Sequence, residues 1–462
     1  MVGGGIVGLG AALMLANDGH QVTVIERDPA PPPLPGEAWD HWECRGVSQF
    51  RMIHVLLAAS TEVAQRQIPG FVEALTAAGG LDLNPLSGLP DAITGGARPG
   101  DERLRMVTAR RPVFESVMAA LADAADGVTV LRGVAVGGLL TDPAVAQPTH
   151  VVGVVTDGGQ EFRADVVVHC GGRRSAMPDP IAAAGGQRPA EQIEDSGFVY
   201  YARHFRSADG SIPMAFGSLL QHYPTISTLT LPADNGTWGV GIVTAGRDAP
   251  LRGLTDTDRW TAVVKAHPFV AHWVDAEPLT DVKVMAGSED RRRSFIAGGK
   301  PVVTGLLPLA DAWACTNPSL GRGVSIGLLH ASALRSTLHG ETFDDHYGLA
   351  LRWHHATERD VEPYYDDTLA FDRHRLAEVH AAIDGRDYQP NDPVWTFTRN
   401  LAASTAKDPD LFRAQIHVGM LLDRLPTVMQ DTELVARAAQ LADHSPIPGP
   451  ERAELLALAA RS

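Results

Sequence analysis

The hexapeptide Gly3-Gly4-Gly5-Ile6-Val7-Gly8 constrains this chain more than any other stretch, because it has the spacing G-x-G-x-x-G. Glycines at these positions permit a tight turn from a strand into a helix and let the backbone approach a pyrophosphate. The helix N-terminus then meets the phosphate charge with unpaired N–H groups. Leu9 to Asn17 has helical spacing, Gly19 stops the helix, and Gln21 to Ile25 alternates as a second strand. Glu26 closes that strand eighteen residues after Gly8. This is close to the ~20-residue offset of an acid that accepts hydrogen bonds from ribose hydroxyls and repels a 2′-phosphate. Gly3, Gly5, Gly8, Glu26 and the adjacent Arg27 are therefore the first candidate cofactor contacts. They point to a dinucleotide without separating FAD from NAD.

Downstream, Pro29 to Gly36 reads as an extended connector, since proline fixes φ and resists helix. The pattern predicts a helix from about Met52 to Ala64, glycine-rich loops around 79–101 and a helix over Pro112 to Ala125. Short strands are expected at Val128 to Leu131 and Val151 to Thr156. Ala164 to His169 is centred on a β-branched run and reads as a strand buried on both faces. Between Gly197 and Val243 the pattern changes to longer alternating strands, over 198–205, 227–231 and 238–243, as in an antiparallel sheet. A strand over Pro301 to Leu306, a loop and a helix from Gly323 follow; from about 341 the chain is mostly helical, without repeats.

Composition removes several function classes. The 462 residues suit two connected domains. A net charge of −16 repels phosphate backbones and anionic membranes, so nucleic acid is not an expected partner. Cys44, Cys170 and Cys315 lie far apart, which fits neither a disulfide framework nor a zinc site and suits a reducing cytoplasm. No apolar run approaches the ~20 residues of a membrane span, and the start lacks the features of a signal peptide. His354 and His355 are adjacent on a helix and are read as unable to point the same way, leaving no metal set. The acidic Glu358, Asp360, Glu362, Asp366 and Asp367 around Pro363 read as solvated surface, and the run Arg291-Arg292-Arg293 reads as surface with an approach to the cofactor as the alternative.

A second glycine turn narrows the cofactor. Thr304-Gly305-Leu306-Leu307-Pro308-Leu309-Ala310-Asp311-Ala312 delivers an aspartate from a strand, and Asn317-Pro318-Ser319-Leu320-Gly321-Arg322-Gly323 then opens a helix. This pair resembles the second flavin motif of the para-hydroxybenzoate-hydroxylase-like flavoproteins, with Ala310 where the family has glycine. The resemblance implies that Asp311 holds the ribityl chain and that Gly321 and Gly323 set N–H groups and a helix dipole beside the flavin edge. Trp42-Glu43-Cys44-Arg45-Gly46-Val47-Ser48-Gln49-Phe50-Arg51-Met52-Ile53-His54 is similar to the R-x-G-V-P-Q-x-R-x-x-H segment of a branch of FAD-dependent monooxygenases that includes polyketide epoxidases. Ser48 replaces its proline, and Cys44 stands where many relatives carry an arginine. Arg45 and Gln49 are the implied FAD contacts, and His54 is either a proton shuttle, a helix cap or a packing group. Arg111-Pro112-Val113-Phe114 resembles the R-x-x-L helix start near the FAD phosphates, with Arg110 a one-residue alternative. His169-Cys170-Gly171-Gly172-Arg173-Arg174-Ser175 corresponds to the A-D-G-x-R-S stretch, with Gly171 in place of the aspartate.

The expected fold is a doubly wound, Rossmann-like α/β FAD-binding domain from residues 1–189 and 296–340. An inserted antiparallel β-sheet substrate domain of 190–295 covers the flavin, and 341–462 form a helical C-terminal region. The resemblance implies FAD as cofactor, NAD(P)H as transient electron donor, and hydroxylation or epoxidation of a small apolar, aromatic or polyene metabolite. A flavin-dependent reductase of the isoprenoid-saturating type, or a flavin binder without turnover, are the alternatives. No residue is assigned as a catalytic acid or base. Phe198, Tyr200, Phe205, Phe216 and Trp238 line either an apolar cavity or a core. Only Met1 and Val2 precede Gly3, whereas a central strand is usually ~5 residues long. The expectation is that the natural chain begins several residues upstream with an apolar run, or that a chain starting at Met1 binds FAD weakly.

Overall fold

The computed structural model describes residues 1–44, 46–47, 49–145 and 147–460. Its first part contains α1 (Ile6–Asn17), β1 (Val22–Glu26), α2 (Ala58–Gln67), α3 (Arg111–Ala124), β2 (Val128–Arg132) and β3 (Val167–His169). β4 (Phe198–Arg206), β5 (Ile226–Pro232) and β6 (Thr237–Ala245) follow. Next come β7 (Glu289–Ser294), β8 (Leu306–Pro308), α4 (Gly323–Leu338), α5 (His346–Asp360) and α6 (Glu362–Ile383). Further helices continue to Ala460. No helix among the described residues is long and apolar enough to cross a membrane.

A parallel sheet positions the glycine turn. β2 pairs with β1 from Val22↔Val128 to Glu26↔Arg132, and β3 pairs with β8 from Leu306↔Val167 to Pro308↔His169. Val2 occupies the slot between these pairs, bridging Ile25 on one side and His169 on the other. Its backbone N–H donates to Val168, and its carbonyl accepts from Cys170. β1 owes its extended form to the run Val22-Thr23-Val24-Ile25, whose branched side chains favour a pleated, buried surface. α1 buries Ile6 and Gly8 through Leu15, as expected of a helix that is apolar on nearly every face. Its glycines permit close helix packing: a Cβ on Gly10 would lie 3.1 Å from Leu328 of α4.

β4 and β5 flank β6 in an antiparallel sheet with the period-2 alternation expected from sequence. Tyr201, Phe205, Trp238, Val240 and Ile242 face one way, into a core with Trp260, Trp273 and, from the far end of the chain, Leu455 and Leu458. Phe198, Tyr200, Ala202 and Val243 face the other way, against Met52, Ile53, Met285 and Leu376. Of the five aromatics grouped by sequence, Phe198 and Tyr200 lie on one face, Phe205 and Trp238 on the other, and Phe216 is exposed.

Several sequence expectations shift. The helix expected from Met52 begins at Ala58, because Val55–Leu56 pair with Val107 and Thr108 as a short strand. The expected strand 164–169 narrows to 167–169, and the one expected at 301–306 lies instead at 306–308, after the left-handed Gly305 (φ +71°). Arg293 is not surface: it is 1% exposed and hydrogen-bonds Glu191 and the carbonyls of Ala312 and Arg173. Glu362 and Asp367 are tied to Arg292 and Arg424.

The parallel sheet and the antiparallel sheet are joined by a buried ion pair. Arg110, immediately before α3, meets Asp234 in the β5–β6 turn at 2.5 Å, and Asp234 also accepts the Arg110 backbone N–H at 2.7 Å. Both side chains are buried, with Asp234 at 0% exposure. Removing one partner strands the other charge, a loss of about 3–5 kcal/mol in comparable buried pairs. Asp234→Ala is therefore expected to lower unfolding stability by that order in urea titration. A change below about 1 kcal/mol would contradict the assignment.

Candidate cofactor site

Steric demands define the first turn. Gly3 has φ +108°, a region L side chains rarely adopt, and a Cβ there would sit 2.4 Å from the Cys170 carbonyl oxygen. A Cβ on Gly8 would lie 2.3 Å from the Gly3 oxygen. Gly5, the N-cap of α1, instead has open space beside it and no side-chain cap, leaving the first N–H groups of the helix available. Glu26 reaches this turn: Oε2 accepts from Gly4 N–H at 2.6 Å and Oε1 from Asp28 N–H at 2.9 Å. Arg27 is exposed, and its guanidinium lies 3.4 Å from where a Cβ on Gly46 would stand.

The second turn is built similarly. Gly321 is left-handed (φ +65°), Gly323 opens α4 beside free space, and Arg322 at the N-cap gives no side-chain cap. α1 and α4 meet closely, since a Cβ on Gly327 would be 2.6 Å from Val7 and 3.4 Å from the Ala310 Cβ. The Asp311 loop therefore borders the first turn. Burial pushes the Asp311 carboxyl above its usual range, opposed by the positive charges of Arg173, Arg111 and Arg293. No hydrogen-bond partner holds its carboxylate among the described residues. Arg293 fixes the loop through the Ala312 carbonyl, and Arg173 donates to the Thr316 carbonyl at 3.3 Å.

Arg110 and Arg111 have different partners. Arg110 is committed to Asp234, whereas Arg111 pairs with Glu115 at 2.5 Å and its charge acts on Asp311 and His54. His54 does not cap a helix, since the short strand 55–56 separates it from α2. Its Nδ1 bonds the Met52 carbonyl at 3.0 Å, and burial with Arg111 nearby pushes its pKa to about 3, so the ring is neutral. Gln49 is half-buried, with its carbonyl accepting from Met52 N–H, and Arg45 and Ser48 lie outside the described residues. Val55 adjoins Gly321, where a Cβ would meet it at 3.3 Å.

Two of the departures from the family motifs, Gly171 and Ala310, have a local account. Gly171 packs on the His169 ring, where a Cβ would come within 2.5 Å of Cε1, and His169 Nε2 bonds Ser175 Oγ at 2.7 Å. A side chain at 171 has no room. Ala310 has φ +52°, the conformation for which glycine is suited. It is held by its N–H donating to His330 Nδ1 at 3.1 Å; the buried His330 stacks on Trp353 and also bonds Thr357. Motif spacing does not reveal Arg173, Arg293 or His330, whose positions follow from strand pairing and packing.

Two other features lie away from these turns. A cavity of about 270 Å³ opens behind Trp313, between β8, β7 and α5. His354 and His355 do converge, contrary to the sequence expectation. Both approach Glu358, at 3.2 and 3.3 Å, because i+4 and i+3 spacings bring the carboxylate to each ring. The three ligating atoms lie within 4.8 Å of one another, with His354 half-buried and His354 and Glu358 at the lining of that cavity.

Two uncapped helix N-termini, an acid at the end of β1 and a carboxylate between arginines are the arrangement expected of a dinucleotide-binding flavoprotein fold. Comparison with known proteins agrees: residues 1–39 match the family described as FAD dependent oxidoreductase. Among curated proteins, "Protein Rv3254" of Mycobacterium tuberculosis is 28% identical over 389 residues, covering 79% of this chain and 78% of that protein. PqsL of Pseudomonas aeruginosa, described as a probable FAD-dependent monooxygenase, aligns with TM-score 0.60 at 15% identity, over 83% of this chain and 98% of its own. A flavoprotein/dehydrogenase from Cytophaga hutchinsonii aligns with TM-score 0.58 at 16% identity, over 95% and 98%. The chain has the fold of the FAD-dependent monooxygenases and their relatives, and it opens with the segment of FAD-dependent oxidoreductases.

The strain at Ala310 is measurable. Left-handed backbone costs an L residue roughly 1–2 kcal/mol, and glycine returns part of that through unfolded-state entropy, about 0.4–1 kcal/mol. Ala310→Gly is expected to raise stability by about 0.5–1 kcal/mol in denaturant titration. A loss of stability would show that the loop does not need the left-handed form.

Proposed function

We propose that this protein is an FAD-dependent monooxygenase that takes electrons from NAD(P)H and inserts one oxygen atom of O₂ into a small apolar, aromatic or polyene metabolite. The observation that supports this reading is the meeting of two glycine turns, each opening an uncapped helix, around Asp311. The Gly3–Gly8 turn suits a pyrophosphate, Glu26 a ribose, Asp311 the ribityl hydroxyls, and the start of α4 the electron-rich edge of the flavin. Arg27, Gln49, Arg45 and Arg111 are the proposed further contacts; the guanidinium of Arg111 offsets phosphate charge. Bound FAD would supply the electron transfer and oxygen activation, chemistry that side chains lack. The chain's own part is to orient the flavin, to keep water away, and to present an apolar wall. That wall is the face carrying Phe198, Tyr200, Ala202, Val243 and Met285.

A reductase or dehydrogenase would use the same cofactor contacts, and the fold is shared with a flavoprotein/dehydrogenase. Gly171 and Ala310 motivate a third reading, flavin binding without turnover. NAD(P)H consumption separates enzyme from binder, and incorporation of labelled O₂ into product separates monooxygenase from reductase. Unlabelled product would overturn the proposal.

Asp311→Ala is expected to lose most bound flavin, while Glu358→Ala keeps it, since the contacts of Glu358 are with His354 and His355 of its own helix. The sign of the Asp311 shift adds a second readout. A carboxyl whose folded pKa is raised costs stability once ionised above its unfolded value. Flavin-free Asp311→Ala should therefore melt higher than the parent at about pH 8, with the difference shrinking toward about pH 4. Equal flavin content in the Asp311 and Glu358 variants would show that Asp311 does not hold the cofactor.

A further inference from the structure

Asn317 begins the turn that leads to α4, and side chains from three other elements converge on that turn. Tyr200 of β4 donates its hydroxyl to Asn317 Oδ1 at 2.7 Å. Asp290 of β7 accepts the Asn317 backbone N–H at 2.6 Å. Asp372 of α6 accepts from Asn317 Nδ2 at 3.1 Å and meets Ser319 Oγ at 2.5 Å. Arg322, at the other end of the turn, donates to Thr368 of α6 and to the Val418 carbonyl. Asp372 is 3% exposed and forms no ion pair among the described residues. The charge of Arg322 acts on it without an ion pair, and its neighbours along α6 are engaged elsewhere: Arg375 with Glu378 and the carbonyls of Tyr223 and Ile226, Arg373 with Glu194. Two buried carboxylates, Asp290 and Asp372, thus grip one asparagine from two sides, with no ion pair to either among the described residues.

We propose that Asp372 is a positioning residue that holds the Asn317–Gly323 turn in place in its neutral form, so that the turn loosens when Asp372 ionises. A neutral carboxyl fits the geometry. One oxygen accepts from Asn317 Nδ2, the other carries the proton and donates to Ser319 Oγ, because a hydroxyl serves as donor or acceptor. Every hydrogen bond is then kept without a buried charge. An ionised carboxylate keeps the same contacts but remains desolvated, and opening the turn to water relieves it. Burial, with Asp290 adding to it, pushes the Asp372 pKa up to about 7, against the opposing effects of Ser319, Asn317 and Arg322. Asp290 itself is raised by burial and is opposed by Asn317, Arg173 and Arg373, while Glu194 acts in the same sense as burial. Tyr200 is raised far enough to stay protonated. The sign follows from linkage: the closed turn binds the proton more tightly than the open one, so closure weakens as pH rises from the ordinary carboxyl range of the open turn up to about 7, and levels off above that.

The inference rests on the flavin reading only in what the turn is for, so one test is made without flavin. Hydrogen–deuterium exchange of the 317–323 segment in the full, flavin-free chain, corrected for intrinsic rates, should show several-fold less protection at about pH 7.5 than at about pH 5. Asp372→Asn mimics the neutral acid, accepting from Asn317 and donating to Ser319, and should abolish that slope while keeping the low-pH protection. In parallel, FAD affinity from flavin fluorescence should weaken several-fold over the same pH range in the parent and stay level in Asp372→Asn. An unchanged slope in Asp372→Asn, or no slope in the parent, overturns the proposal. Should no variant bind FAD while the exchange pattern holds, the latch stands and the cofactor reading fails.

Discussion

Everything near the candidate site depends on one backbone approach, the stacking of the Gly3–Gly8 turn on the ends of the parallel strands. The Gly3 oxygen fills the place of a Cβ on Gly8, and the Cys170 oxygen fills the place of a Cβ on Gly3. No side chain of any kind can be accommodated at either position. This contact fixes α1 on the strands and aims its N-terminus past Glu26. The close helix contact at Gly327 and Val7 then carries the geometry from α1 to α4 and brings the Asp311 loop beside the turn. Helix dipoles and N–H groups at two termini are thereby directed at one region, which is what binding an anionic, electron-accepting cofactor requires.

Buried arginines stabilise the elements around that region, each against a specific set of oxygens. Arg293 has two carbonyls and Glu191; Arg110 has Asp234. These contacts order loops that lack regular secondary structure of their own. Charge buried this way is costly to leave unpaired and confers geometric specificity rather than large net stability. The interior histidines follow the opposite rule: His54, His169, His204 and His330 are kept neutral by burial, each with a pKa pushed to about 3. They act as shaped hydrogen-bonding groups, as His330 does for the strained Ala310.

The parts legible in the sequence are those with short-range physical signatures. Glycines whose Cβ would collide, β-branched strands such as Val22 to Ile25, and the alternation of Phe198, Tyr200 and Ala202 against Tyr201 and Phe205 each constrain local backbone directly. Asp311 follows from the strand and turn that surround it. Arg293 escapes such reading because a run of three arginines looks solvated until strand pairing buries one of them. The start of α2 shifts because Val55–Leu56 find a strand partner about fifty residues away. The convergence of His354 and His355 depends on a third residue, the i+3 and i+4 carboxylate that draws the two rings together. Asp372 has no motif at all; its environment arises from tertiary packing of α6 on the turn before α4.

The claim that the two glycine turns form one flavin site is tested most directly by equilibrium titration of the full chain with FAD, followed by competition with ADP. The expected result is saturable quenching of flavin fluorescence at about one FAD per chain, relieved by ADP, because the Gly3–Gly8 turn and Glu26 hold the adenosine diphosphate half. Absence of saturable FAD binding, or binding that ADP does not displace, would contradict the account.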